Sequence, residues 1–253
     1  MAILAVIPAR LGATRLPRKP LRLLGGAPLV AQVWRRVSAL DGIARCIVAT
    51  DSEDVRDVLA REGAECALTS PNHPSGTDRV AEVAARDAYR QYDIVVNVQG
   101  DEPFIAADAI HGATEMVSSG RFELGTASAP ATASILQTPH VVKVVTADDG
   151  RALYFSRAAI PYLRDETDAA VQATAVRQHI GVYAYRRDAL ARWVALPEHR
   201  LERIERLEQL RPLAAGMGMG VAATADVAPP GVDTEEDLAH ANARWDDFIA
   251  RRS

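Results

Sequence analysis

Only two cysteines, Cys46 and Cys66, occur in the sequence, with no CxxC spacing and no cluster of histidine and cysteine around either. That argues against a disulfide framework and a zinc module, and leaves both as small buried hydrophobes. Aromatic residues make up 5% of the chain and the formal net charge is −4, so the basic, ring-studded surface that nucleic-acid binding uses is missing. No apolar run reaches the ~20 residues that cross a bilayer, and the first apolar stretch lacks the charged lead-in and cleavage pattern of a signal peptide. The expectation is a cytoplasmic protein without membrane insertion. Neither GxGxxG nor GxxxxGK[ST] occurs, which removes the usual support for dinucleotide and P-loop binding. Internal repeats and low-complexity tracts are also lacking.

What is present is a regular alternation. The 253 residues, 48% of them hydrophobic, suffice for one sizeable core with a small second lobe, so residues 1–253 are read as a single domain. Ile3 to Ile7, Cys46 to Thr50, Cys66 to Thr69 and Ile94 to Val98 read as buried strands. Between them, Val30, Val33, Trp34 and Val37 recur at helical spacing, Glu53 to Glu62 form a helix capped by Asp51-Ser52, and Thr77 to Tyr89 form another. Unbroken apolar strands separated by helices predict an α/β fold with a doubly wound, mostly parallel sheet. After about residue 121 the pattern changes: Leu124 to Ala129, Val141 to Thr146 and Ile180 to Tyr185 read as strands of a smaller mixed lobe over 121–200, separated by irregular loops instead of regular helices, with Tyr162 to Ala175 polar enough to be mobile. Leu201 to Leu213 return to helical spacing, and a last helix begins after Asp233, with Thr234 and Asp237 at capping-box positions, and runs towards Arg251-Arg252.

Four segments carry residues suited to chemistry. Pro8, Ala9 and Arg10 follow the first strand and lead to Arg15, Arg18 and Lys19, and Pro8, Pro17 and Pro20 prevent the loop from continuing as a helix. Such a basic cluster at a strand's carboxyl end suits a phosphate-bearing ligand, with a solvated turn as the alternative. Gln99-Gly100-Asp101-Glu102 follows the most apolar strand; Asp101 would offer a hard carboxylate to a metal and Gly100 room for a ligand, the alternative being an Asx turn. Ser75-Gly76-Thr77 would cap a helix whose first amides suit a nucleotide. Arg79, near the positive end of that helix, calls for a nearby anion. Asp233 reads as part of a helix start. Arg157, His179 and Tyr185 are groups that would contact an acidic, hydroxyl-rich ligand, each also compatible with a packing role.

In this order the segments resemble the 3-deoxy-manno-octulosonate (KDO) cytidylyltransferases nearly end to end. The landmarks are Ile7-Pro8-Ala9-Arg10, Thr14-Arg15-Leu16-Pro17, Lys19-Pro20, Val48-Ala49-Thr50-Asp51, Ser75-Gly76-Thr77-Asp78-Arg79 and Val96-Asn97-Val98-Gln99-Gly100-Asp101-Glu102-Pro103, then Val142-Lys143-Val144-Val145, Tyr154-Phe155-Ser156-Arg157, His179-Ile180-Gly181-Val182-Tyr183, Leu207-Glu208-Gln209-Leu210-Arg211 and Gly231-Val232-Asp233-Thr234. The resemblance implies a Rossmann-like nucleotidyltransferase of the nucleotide-diphospho-sugar transferase type, a homodimer that takes CTP and KDO and releases CMP-KDO and pyrophosphate for lipopolysaccharide assembly. It also implies Mg²⁺ on Asp101 and Asp233 and a second Mg²⁺ on the triphosphate. Asp101, Asp233 and Lys19 are its catalytic set. Pro8, Ala9, Arg10, Arg15, Lys19, Ser75, Gly76, Thr77, Arg79, Gln99 and Gly100 would bind the nucleotide, and Gln99, Arg157, His179, Tyr185 and Glu208 the sugar. Arg18, Gln178 and Thr138-Pro139-His140 depart from the family pattern. The alternatives are a cytidylyltransferase for sialic acid or an amino-KDO, and a non-catalytic nucleotide sensor.

Overall fold

The computed structural model describes residues 2–12, 15–225 and 229–250. They fall into two compact units, Met1–Ile105 with Ala228–Ser253, and Ala106–Val227. The first unit opens with β1 (Ile3–Ala9), buried from Ile3 through Ile7. A hairpin of β2 (Leu23–Leu24) and β3 (Ala27–Pro28) leads to α1 (Leu29–Ser38), followed by β4 (Ile43–Thr50), α2 (Glu53–Arg61), β5 (Cys66–Leu68), α3 (Gly76–Ala85) and β6 (Ile94–Val98). β1 lies between β6 and β4, β5 flanks β4, and all three pairings are parallel. Parallel pairing requires crossovers that cover the sheet, which is why these strands are apolar throughout instead of alternating. α1 buries Val30, Val33 and Val37, and Ser52 caps α2 by accepting from Val55 N. α3 stops at Ala85, short of the expected Tyr89. The chain leaves the helix through extended Arg86 and a short 3₁₀ turn, which buries Tyr89 with its ring under Arg45 and its hydroxyl donating to Glu65.

The second unit runs α4 (Ala107–Ser118), β7 (Leu124–Pro130), β8 (Lys143–Thr146), β9 (Ala152–Ser156), α5 (Ala169–Ala175), β10 (Arg177–Arg186), α6 (Arg187–Ala195), α7 (Arg200–Glu205), α8 (Leu210–Ala214) and β11 (Met219–Ala223). β11 pairs with β7 in parallel, while β7 with β10, β10 with β8 and β8 with β9 are antiparallel. The unit includes α4 and β11, outside the stretch 121–200. The helix expected over Leu201 to Leu213 is two helices. Pro212 has no N–H and its ring excludes the carbonyl four residues earlier, so α7 ends at Arg206 in the left-handed region (φ 55°) and α8 restarts with Pro212 in its first turn. The stretch from Tyr162 to Ala175 is not wholly irregular, since its second half forms α5 with no buried residue.

The chain then returns to the first unit with α9 (Glu235–Ala243) and α10 (Trp245–Ala250), so the expected single last helix is interrupted at Arg244. The expected capping box is present between Thr234 and Asp237. Arg251-Arg252 lie outside the described residues. Among the described residues no helix is long and apolar enough to cross a membrane.

Candidate active site

A small apolar cluster sets the geometry of the first unit's charged groups. Leu16, Phe104 and Val232 are buried together with Leu24, Leu29, Leu238 and Trp245. Leu16 and Phe104 each lie three residues from a charged group, Lys19 and Asp101, and Val232 immediately precedes Asp233. Three loops distant in sequence are thus pinned by neighbouring hydrophobes. Val232 N donates to Asp101 O at 2.8 Å, and Asp237 accepts from both Asp233 N (3.0 Å) and Thr234 N (2.9 Å), so the helix cap also fixes Asp233. The outcome is convergence on one atom. Lys19 Nζ donates to Asp101 Oδ2 and, at 2.6 Å, to Asp233 Oδ1, while Arg15 reaches Asp233 Oδ2 at 2.8 Å. Burial pulls Lys19 towards neutrality, but Asp101 and Asp233 outweigh it and its pKa is raised. Asp233 is therefore more than a helix-start residue.

Glu102 adds a third carboxyl. Burial, with the charges of Asp101 and Asp233 and against that of Lys19, pushes its pKa up to about 8. Close packing here demands glycine at 231, where a Cβ would lie 2.8 Å from Glu102 Oε1 and 3.1 Å from Asp101 O. The convergence of two hard oxygen donors, Asp101 Oδ2 and Asp233 Oδ1, on the single cation of Lys19 fits a divalent cation in the same place. Among the described residues no group of three or more His, Cys, Asp or Glu is arranged to hold a metal alone.

The carboxyl end of β1 meets two other candidate segments. A Cβ at Gly100 would lie 2.9 Å from Pro8 O, and one at Gly76 would lie 3.3 Å from Pro8 Cγ and 4.0 Å from Gln99 Oε1. Pro8, Ala9, Gly76, Gln99 and Gly100 are thus brought together. Ser75 caps α3 through Asp78, and Thr77 is buried in its first turn. Arg10 is exposed and has no ion pair among the described residues, which leaves it open to an anion. Ala13 and Thr14, between Arg10 and Arg15, lie outside the described residues. Arg18, in the left-handed region, turns to Asp54 at 3.1 Å, away from the acidic pair.

Arg79 is not open. It is buried, with Nη2 on Asp51 Oδ2 at 2.9 Å and Nη1 on Thr69 Oγ1. The anion that its place near the helix start requires is Asp51, so its guanidinium joins the ends of β4 and β5 to α3. His73, in the loop before α3, forms a hydrogen bond with Glu82 at 2.6 Å.

In the second unit, His179 and Tyr183 lie four positions apart on one face of β10, with ring centroids 5.5 Å apart. Thr126 Oγ1 donates to Val182 O at 2.7 Å, so His179 Nε2–H donates to it at 2.9 Å. Burial lowers the His179 pKa to about 3, which makes it a neutral hydrogen-bonding group. Tyr185 is fully buried, its ring edge-on to Trp193, and so has a packing place where a sugar contact was expected. Tyr183, which sequence reasoning missed, is the partly exposed phenol; burial first, then Tyr185 and Glu208, raises its pKa. The even spacing from His179 to Tyr183 within one strand was the signal that could have found it. Arg157 is held by main-chain carbonyls, Glu205 O at 2.8 Å and Pro139 O at 3.1 Å.

A mostly parallel α/β sheet, with the basic loop and Asp101 at strand ends and Asp233 just before a helix, is a scaffold suited to nucleotidyl transfer. A family model described as cytidylyltransferase matches residues 4–219. The chain is 58% identical over 253 residues, all of this chain and 98% of its relative, to the 3-deoxy-manno-octulosonate cytidylyltransferase of Gemmatimonas aurantiaca. It is 46% identical over 237 residues, 93% of both chains, to the one from Acidobacterium capsulatum. A solved CMP:2-keto-3-deoxy-manno-octonic acid synthetase complexed with CTP superposes with a TM-score of 0.89 at 36% identity, covering 98% of this chain and 99% of that one. The chain belongs to the 3-deoxy-manno-octulosonate cytidylyltransferase family.

Proposed function

We propose that this chain transfers CMP from CTP to KDO, forming CMP-KDO and pyrophosphate for lipopolysaccharide synthesis, as a magnesium-dependent homodimeric enzyme of the cytoplasm. The observation that carries the chemistry is the meeting of Asp101 and Asp233 on Lys19, residues 82 and 214 positions away from it in the chain. The sugar's anomeric hydroxyl attacks the α-phosphorus in line and the bond to pyrophosphate breaks on the opposite side, so the protein positions reactants and neutralises charge without a covalent nucleophile. Arg10, Arg15 and Lys19 hold the phosphates. Lys19 reaches them by releasing the two carboxylates. Asp101 and Asp233 would hold a Mg²⁺, which when bound would supply Lewis-acid stabilisation of charge at the α-phosphate and favour ionisation of the attacking hydroxyl. Pro8, Ala9, the Ser75-Gly76-Thr77 helix start, Gln99 and Gly100 receive the nucleoside, and Arg79 acts through Asp51. Gln99, Arg157, neutral His179 and Glu208 serve the acid sugar.

The test is pyrophosphate release from CTP and Mg²⁺ with KDO, with sialic acid as a second acceptor. Release with KDO is expected. No release with either sugar overturns the reading and favours a nucleotide sensor, whereas release with sialic acid alone reassigns the substrate.

A further inference from the structure

Lys143 is a fully buried charge with no ion pair among the described residues. Its Nζ instead donates to three main-chain carbonyls, Thr138 O at 3.2 Å, Val141 O at 2.8 Å and Arg157 O at 2.6 Å. An ammonium has three donors and all are used, so this lysine has no hydrogen left for a ligand. A buried cation is costly unless it is well bonded, and here its bonds draw the loop before β8 towards the turn after β9.

Arg157 is fixed from its other sides as well. Its N donates to Glu205 Oε2 at 2.9 Å, its Nε to Glu205 O at 2.8 Å and its Nη1 to Pro139 O at 3.1 Å. Glu205 ends α7, where a carbonyl lacks its intrahelical donor, and its carboxylate is itself oriented by Ser156 Oγ at 2.6 Å. Among the described residues, Arg157 Nη2 has no acceptor. Neither cation is ion-paired with Glu205, the carboxylate whose oxygens take Ser156 Oγ and Arg157 N, so the spot is short of an anion.

We propose that Lys143 is a positioning residue for Arg157: bridging the Thr138, Val141 and Arg157 carbonyls, it works with Glu205 to hold the guanidinium so that Nη2 meets the carboxylate of the sugar. The inference rests on the acid-sugar reading. It also gives the departure at Thr138-Pro139-His140 a physical reason, because the loop contributes carbonyls and its side chains are free to vary.

The test compares wild type with Lys143→Met, Glu205→Ala and Glu205→Gln in steady-state kinetics, varying KDO and CTP separately and recording thermal melting. Lys143→Met and Glu205→Ala are expected to raise KM for KDO by about tenfold, as loss of one or two orienting hydrogen bonds does. KM for CTP is expected to stay within about twofold. Glu205→Gln, whose amide oxygen still accepts from Arg157 N or Ser156, should recover most of the loss. If Lys143→Met does not fold, the Glu205 pair decides. Equal changes in both KM values, lower melting with unchanged kinetics, or no recovery by Glu205→Gln overturns the positioning role while the acid-sugar reading stands. Lack of turnover by the wild type with KDO defeats that reading and this inference with it.

Discussion

Arg79 shows how one residue's chemistry can be half legible. A cation in the first turn of α3 announces from sequence that an anion must be near, but not which one; Asp51 lies 28 positions back and meets it only because β4 ends where α3 begins. Removing one partner of so buried a pair leaves a charge uncompensated, so Arg79→Met is expected to cost about 3–5 kcal/mol in urea denaturation. A cost under about 1 kcal/mol would place the pair in the class of surface bridges. Gly231 is a second case. Its sequence context suggests a helix start, whereas its need for glycine comes from Glu102, packed where a Cβ would stand. Gly231→Ala is expected to lower stability by about 1–3 kcal/mol through overpacking and to lower turnover by displacing Asp101 or Asp233. Denaturation and pyrophosphate release measure the two effects. Lys143 was legible only as part of a motif, because its partners are carbonyls, which every residue has.

Among the elements, strands with a continuous apolar run, β1, β4 and β6, were readable because burial on both faces leaves its mark on every residue. β11, with the sequence MGVAA, was not. It is narrow because Phe122 and Met116 crowd Gly220, a packing demand that no local pattern displays. The segment between β5 and α3 offers a test by pH. Burial works against charge on Glu82, yet hydrogen bonds from Ser70 N, His73 and Arg86, with the Arg86 charge, bring its pKa down to about 2, below the ordinary 4.5. A carboxylate depressed in the folded state stabilises above its unfolded pKa and loses that contribution as pH falls towards the folded one. The stability difference between wild type and Glu82→Gln should be full at neutral pH and shrink from about pH 4.5 to about pH 2. Urea midpoints of both proteins across that range check it, and a constant difference contradicts it.

At the scale of the whole molecule, the parallel sheet and the ends of its strands followed from period and composition, and the order of motifs identified the family. The partners inside the site did not follow, since the meeting of Lys19, Asp101 and Asp233 depends on Leu16, Phe104 and Val232 packing across loops far apart in sequence. The basic loop is the densest cluster of cations in an acidic chain. Under the proposed reaction it would hold the leaving group, and the acidic pair would act on the bond that forms. The account therefore predicts that Asp101→Asn separates binding from chemistry. In one measurement, turnover with CTP and KDO is compared with CTP affinity by calorimetry. Turnover is expected to fall by about a hundredfold or more while CTP affinity changes by only a few fold, because the lost charge matters most in the transition state. Parallel losses in turnover and affinity would contradict the account.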